Sequence, residues 1–492
     1  MAYAIASFSN SYCRLPEHFF ARLDPTPVAK PRLIVLNRPL AQDLGLDIDA
    51  VDGEALAQIF GGNSIPSGAE PISTVYAGHQ FGGFVPQLGD GRAILLGEVV
   101  DRCGVRRDIQ LKGAGRTPFS RRGDGRAALG PVLREYLVSE AMHALGIPTT
   151  RALAAVTTGE RVFRETPLPG AILTRVAASH IRVGTFEYFA ARGDGEAIRR
   201  LADHVLDRHY PGAKDAERPY LALLQAVARR QAALVARWMQ VGFVHGVMNT
   251  DNMAVSGETI DFGPCAFIEE YEPAAVFSSI DELGRYAFGN QARAAQWNIA
   301  QLAQVLLALI DPDPERAIEL AQAVITAFPT WYESDWIAGM RSKFGLNLAQ
   351  DGDLELIGAL LDAMQANQAD FTLTFRRLCN AAADEDDAGP RALFDDPGAY
   401  DRWAALWRKR LQSEPGSPAQ RAQAMRRVNP AVIPRNHRVE QALNAAVERE
   451  DFAPFFELLA ALSRPYEEQG AYLAYAAPAR RDERVLQTFC GT

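Results

Sequence analysis

Apolar residues recur along this chain with two periods, and the change from one to the other divides it. In the first third, "RAILLGEVV" (92–100) and "DIQLKG" (108–113) are short apolar runs joined by the turn-like "DRCGVRR", the pattern of adjacent strands in a small antiparallel sheet. "GPVLREYLVSEAMHALGI" (130–147) then places apolar side chains at Leu133, Leu137, Ala141 and Leu145, with Pro131 where a first helical turn tolerates it, which predicts an amphipathic helix. After one more strand-like run, "PGAILTRVA" (169–177), the spacing becomes helical. The segments 219–246, 296–310 and 354–365 read as long buried helices. The acidic stretch "NAAADEDDAGP" (380–390) reads as a solvated loop. The expected class is α+β: a small lobe with an antiparallel sheet and one helix, then a large helical lobe with a C-terminal helical extension. The expected boundaries are an N-terminal extension over 1–69, the small lobe over 70–178 and the large lobe over 179–492.

The 492 residues are 48% hydrophobic, enough for several cores in one globular chain. The formal net charge of −9 excludes the global basic field of a non-specific nucleic-acid binder. The N-terminus lacks the pattern of a secretory signal, and there is no apolar run of roughly 18 residues, so a cytoplasmic protein with no membrane partner is expected. Cys13, Cys103, Cys265, Cys379 and Cys490 are odd in number and widely spread, which argues against a disulfide framework and a C-x-x-C metal site.

Chemistry concentrates in "HGVMNTDNMAV" (245–255) and "TIDFG" (259–263). A kinase catalytic loop reads H-x-D-x-x-x-x-N and is followed by D-F-G. Counted from His245, the asparagine is Asn252 and the metal aspartate is Asp261, but Val247 stands where the catalytic aspartate would be. One amide and one carboxylate suffice for a magnesium ion whose other ligands are phosphate and water. The intervening "MAVSGETI" could bring the two together as a short hairpin. The order of these parts predicts a protein-kinase-like, two-lobed fold. Lys112 projects from its strand on the face opposite Ile109 and Leu111. Its orienting glutamate is Glu135 or Glu140, Glu135 being better placed on the helix. "LGDGR" (88–92) and "GAGRTPFSRRGDGRAALGP" (113–131) combine glycines with Arg116, Arg121, Arg122 and Arg126, a composition suited to phosphate. Arg175 and Arg182 flank the expected lobe junction, as members of a salt-bridged hinge or as phosphate clamps.

In order, "YAGHQFGGFVPQLGDGRAILLGE", "QLKGAGRTPFSRRGDGRA", "ILTRVAASHIRVGTFEYF", "HGVMNTDNM" with "IDFGP", and "NPAVIPRNHRVEQAL" closely resemble the signature blocks of the selenoprotein O family, over nearly the whole chain. The resemblance implies a kinase-like enzyme that transfers AMP from inverted ATP, or UMP from UTP, to hydroxyls of protein substrates. It implies that Gly89, Gly91, Arg92, Lys112, Asp124, Gly125, Arg175 and Arg182 form the nucleotide pocket, that Asn252 and Asp261 hold Mg²⁺ or Mn²⁺, and that Asp251 accepts the proton. An unperturbed aspartate is ionised at pH 7, so Asp251 is available for that role. The alternatives are an ATP-binding pseudokinase scaffold, which the retained metal pair opposes, and a small-molecule kinase, which Val247 opposes. Family members often carry selenocysteine where Cys490 stands here, implying a regulatory disulfide, with Cys265 one candidate partner, or else a free thiol.

Overall fold

The structure, a computed structural model, describes residues 3–384 and 386–489. Its strands are β1 (Phe20–Arg22), β2 (Arg32–Leu36), β3 (Ile72–Thr74), β4 (Gly78–Gln80), β5 (Gly83–Val85), β6 (Ala93–Val100), β7 (Arg106–Lys112), β8 (Ala127–Ala128), β9 (Arg151–Phe163), β10 (Pro167–Ala177), β11 (Phe243–Val244) and β12 (Ala266–Phe267). An antiparallel sheet runs in the order β1-β3-β6-β7-β10-β9-β2, with β8 added against β10. Strands β4 and β5 form a separate hairpin, as β11 and β12 form a separate ribbon.

Helices α1 (Arg38–Asp43) and α2 (Gly53–Phe60) cover one face of the sheet, where Leu40, Ile59 and Phe60 pack on Ile94, Ile109, Leu111 and Ile172. Helix α3 (Leu129–Ala144) covers the other face, packing Leu133 and Leu137 on Ala155 and Leu173. The second half is built from α4 (Val183–Ala190), α5 (Gly195–His209), α6 (Pro219–Val241), α7 (Gln291–Ile310), α8 (Pro314–Phe344), α9 (Asp353–Ala366) and α10 (Phe371–Asp384). It continues through α11 (Ala388–Arg391), α12 (Pro397–Leu411), α13 (Pro418–Arg426), α14 (Asn436–Arg449) and α15 (Ala453–Leu462). The architecture is α+β and kinase-like, with the antiparallel sheet in the N-terminal part and helices in the C-terminal part.

One strand carries no reading in the sequence, and two local expectations change. Strand β9 escapes a period-2 reading because both its faces are covered: Leu153 and Val156 enter one core and Ala152 and Ala155 the other. The acidic stretch is a loop only in part. Asn380–Asp384 completes α10, whose Ala381 and Ala382 are buried, and Asp387 accepts from Tyr400 Oη at 2.7 Å. Residues 253–260 do not pair with themselves as a hairpin. Ala254 bridges Arg182 and Thr259 bridges Thr149, because the backbone groups on either side of the turn find partners in the lobe connection and after α3.

Candidate functional site

A cavity of about 890 Å³ lies between the sheet and the helical half. The structure places Gly89, Gly91, Arg92, Lys112, Asp124, Gly125, Arg175, Arg182, Asp251, Asn252 and Asp261 together on its wall.

The cavity is organised around one carboxylate. Lys112, the last residue of β7, reaches Glu135 Oε2 at 2.6 Å and Asp261 Oδ1 at 3.3 Å. Arg175, paired across the sheet through the register of β10 with β7, reaches Glu135 Oε1 with Nε at 2.7 Å and Asp261 Oδ1 with Nη2 at 2.7 Å. Arg182 approaches Asp261 Oδ2 at 3.4 Å and lays its guanidinium 4.3 Å from the centre of the Tyr76 ring. Glu135 is thus the partner of Lys112. Glu140, a turn and a half further along α3, instead binds Arg151 and the side chain of Asn37. Burial works to raise the Asp261 carboxyl, but Arg175, Lys112 and Arg182 outweigh it and hold the group well below the usual carboxylate range. Burial lowers the pKa of Lys112 against the pull of Glu135. Asp261 has φ of +65°, a left-handed conformation that costs a non-glycine residue free energy and is sustained by these contacts.

His245 ties the two motif segments together. Its Nε2 lies 2.9 Å from the carbonyl of Ile260, beside Asp261, and its Nδ1 lies 3.3 Å from the Val247 amide. Val247 is buried, and its carbonyl accepts from Asn252 Nδ2 at 2.9 Å, which leaves the side-chain oxygen of Asn252, an acceptor, without a partner among the described residues. Asp251 is also buried. Burial pushes its carboxyl up to about 6, against the opposing field of Arg182 and a hydrogen bond from Gln80, so the group is more basic than its composition alone implies and is still largely ionised at pH 7.

The glycine-rich loop after β7 folds back onto the turn before β6. Thr117 Oγ1 donates to Asp90 O at 2.8 Å, Ser120 Oγ donates to Gly91 O, and Gly115 N donates to Gly125 O. A Cβ at Gly125, where φ is +71°, would overlap the backbone of Gly115, so this glycine is required by the packing of the loop itself. Asp124 is engaged by Arg164 at 2.9 Å. Arg164, like Gln80 and Tyr76, lines the cavity without a sequence signal, because its partner lies 40 residues away.

Among the described residues, the wall carries eight arginine and lysine side chains against four aspartates, an excess of cations suited to a polyphosphate. No described group of three His, Cys, Asp or Glu residues could hold a metal by itself. The oxygen of Asn252 and the Asp261 carboxylate fit a hard divalent cation that takes its remaining ligands from phosphate and water. Cys265 is buried, its thiol is raised to about 11 first by that burial, and Sγ faces the Phe262 carbonyl at 3.5 Å. Cys490 lies outside the described residues.

A kinase-like fold with this motif pair and a cationic cleft belongs to the nucleotide-using transferases, and comparison with known proteins narrows the class to nucleotidyltransferases. The family model described as protein adenylyltransferase SelO matches residues 3–463, and the chain belongs to that family. It is similar to the protein nucleotidyltransferase YdiU of Bradyrhizobium sp. strain BTAi1, at 64% identity over 485 residues and 99% of each chain. Protein nucleotidyltransferase YdiU of Rhizobium rhizogenes strain K84 is 64% identical over 486 residues, covering 99% of this chain and 97% of the relative. The relative of the same name from Rhizobium meliloti strain 1021 is 63% identical over 489 residues, 99% of each chain. No helix among the described residues is long and apolar enough to cross a membrane.

Proposed function

We propose that this nucleotidyltransferase transfers AMP from ATP to serine, threonine or tyrosine hydroxyls of protein substrates and releases pyrophosphate, with UTP as a second donor that would yield UMP transfer. The observation that carries this reading is the placement of a buried carboxylate, Asp251, beside Asn252 on the wall that also holds Asp261, while Val247 occupies the kinase aspartate position. Asp251 receives the proton of the attacking hydroxyl as its oxygen bonds to the α-phosphorus. The bond from that phosphorus to the bridging oxygen breaks, and pyrophosphate leaves with the electron pair. Lys112, Arg92, Arg175 and Arg182 hold the phosphates and offset their charge, the larger electrostatic task in phosphoryl-type transfer. Gly89, Gly91, Asp124 and Gly125 shape the nucleotide side of the cleft. Asn252 and Asp261 are the residues that would hold Mg²⁺ or Mn²⁺, which supplies charge neutralisation on the phosphate oxygens when bound. In this reading residues 70–178 and 179–492 act as the two lobes, with 1–69 packed on the small one.

ATP labelled at the α- or the γ-phosphate distinguishes the alternatives. Label on protein from the α-position alone is the expected result. Label from the γ-position means phosphorylation, and label from neither means a binding module. Asp261→Ala is expected to abolish transfer, and retained activity in that variant contradicts the metal assignment.

A further inference from the structure

The hairpin of β4 and β5 stands outside the main sheet, and a two-stranded ribbon is marginally stable by itself. Its turn residues Phe81 and Gly82 are both left-handed, with φ of 51° and 90°, which gives a tight connection the twist of its strands. The hairpin is held against three consecutive residues of the catalytic loop. Phe81 N donates to Asn249 Oδ1 at 3.0 Å, His79 N to Thr250 Oγ1 at 2.7 Å, and Gln80 Nε2 to Asp251 Oδ2 at 3.2 Å. Glu187 of α4 backs this junction, contacting His79 Nδ1 at 2.6 Å and accepting from the Thr250 hydroxyl. Asp251 Oδ1, by contrast, is buried against Gly78 and has no hydrogen-bond partner among the described residues. Both Gln80 and Asp251 line the cavity. Gly78 completes the arrangement, since a Cβ there would overlap Asp251 Oδ1 and come within 2.9 Å of Asp251 Cβ.

We propose that Gln80 is a positioning residue for nucleotidyl transfer: its amide holds Asp251 through Oδ2 and fixes the carboxylate that receives the proton of the acceptor hydroxyl. The inference rests on the reading of Asp251 as proton acceptor. It assigns a function to the separate hairpin, which braces the loop so that the carboxylate does not have to be ordered during the reaction. The chemical step is unchanged: the proton passes to the Asp251 carboxylate, the acceptor oxygen bonds to phosphorus and pyrophosphate departs.

The test measures protein labelling from α-labelled ATP with Mn²⁺, using total bacterial lysate protein as acceptor, for the full chain and for Gln80→Met, Gly78→Ala and Asp251→Ala. Methionine keeps the length and volume of glutamine but has no amide donor. Gln80→Met is expected to lower the maximal rate about 10- to 100-fold, the cost of a misplaced reacting group, with the half-saturating ATP concentration and the melting temperature unchanged. Gly78→Ala is expected to lower the maximal rate in the same way. Wild-type activity of Gln80→Met overturns the proposal, as does a rise in half-saturating ATP that accounts for the loss. Inactive Asp251→Ala beside fully active Gln80→Met rejects the role of Gln80 alone, whereas a fully active Asp251→Ala rejects the proton-acceptor reading itself.

Discussion

Glu135 neutralises two cations, Lys112 and Arg175, with its two oxygens, and both cations also contact Asp261. Glu135→Gln therefore leaves a buried arginine and a lysine short of counter-charge. Loss of one partner in a buried ion pair costs about 3–5 kcal/mol, and chemical denaturation together with labelling assays is expected to show loss of both stability and transfer. A different buried cation penalises the fold. Lys343 is 2% exposed and lies 4.2 Å from the centre of the Phe375 ring, with no carboxylate partner among the described residues. Burial lowers its pKa from the ordinary 10.5 to about 7. Between those values the unfolded chain binds more protons than the folded one, so this group makes stability rise with pH across the window; its penalty is full below pH 7 and absent above 10.5. Lys343→Met is expected to add about 2–4 kcal/mol at pH 7 and almost nothing at high pH. Urea unfolding at the two pH values checks this, and an equal gain at both would contradict it.

At the scale of elements, α3 is held on two sides. One side packs on the sheet and the other on α14 and α15, where the Tyr136 and Phe455 rings stand 5.9 Å apart. Arg134 adds contacts to the carbonyls of Gly263 and Cys265 and to Glu440 at 2.7 Å. The helix that carries Glu135 is thereby fixed to the segment that carries Asp261. Phe455 is fully buried, and Phe455→Ala is expected to cost about 3–5 kcal/mol by transfer and cavity formation, with a fall in transfer rate as Glu135 loses its fixed position. Denaturation curves and initial rates measured on the same preparation check both. Helices α3, α6, α7 and α9 were legible in the sequence because the apolar stripe of each repeats locally, as at Leu133, Leu137 and Ala141. Strand β9 and the paths of residues 253–260 were not, because their partners come from distant segments.

At the scale of the molecule, the sheet and the helical half are joined by a buried charge network. Arg208 of α5 pairs with Asp108 of β7 at 2.5 Å and with Glu98 of β6 at 3.3 Å, and it also donates to the carbonyl of Ala178. His180, in the connection between β10 and α4, donates its backbone N–H to Asp108 at 2.9 Å. Burial works to raise Asp108, but Arg208 and His180 together hold it below the usual carboxylate range. Its contribution is therefore present at neutral pH and is lost as pH falls through the depressed value. Arg208→Met leaves the buried Asp108 without its arginine, while Glu98 keeps Arg106 at 3.2 Å, and is expected to destabilise by about 3–5 kcal/mol at pH 7. The deficit should shrink in acid because the unpaired, buried Asp108 of the variant takes up a proton as pH falls whereas the paired one of the parent does not, as seen by comparing denaturation of variant and parent at pH 7 and pH 4.

Local order in the sequence determined the two periods of apolar residues, hence the sheet-then-helix arrangement, and the spacing that brings His245, Asn252 and Asp261 into register. It also singled out Lys112, since a strand alternates its faces within a few residues. Tertiary structure decided which glutamate meets that lysine, that Arg175 and Arg182 converge on Asp261, and that Arg164 engages Asp124. It also decided that Gln80 reaches Asp251 across 171 residues. The physical reason is that periodicity records which face of an element is buried, whereas the partner of a polar side chain is settled only when separate elements dock and leave each buried donor a particular acceptor.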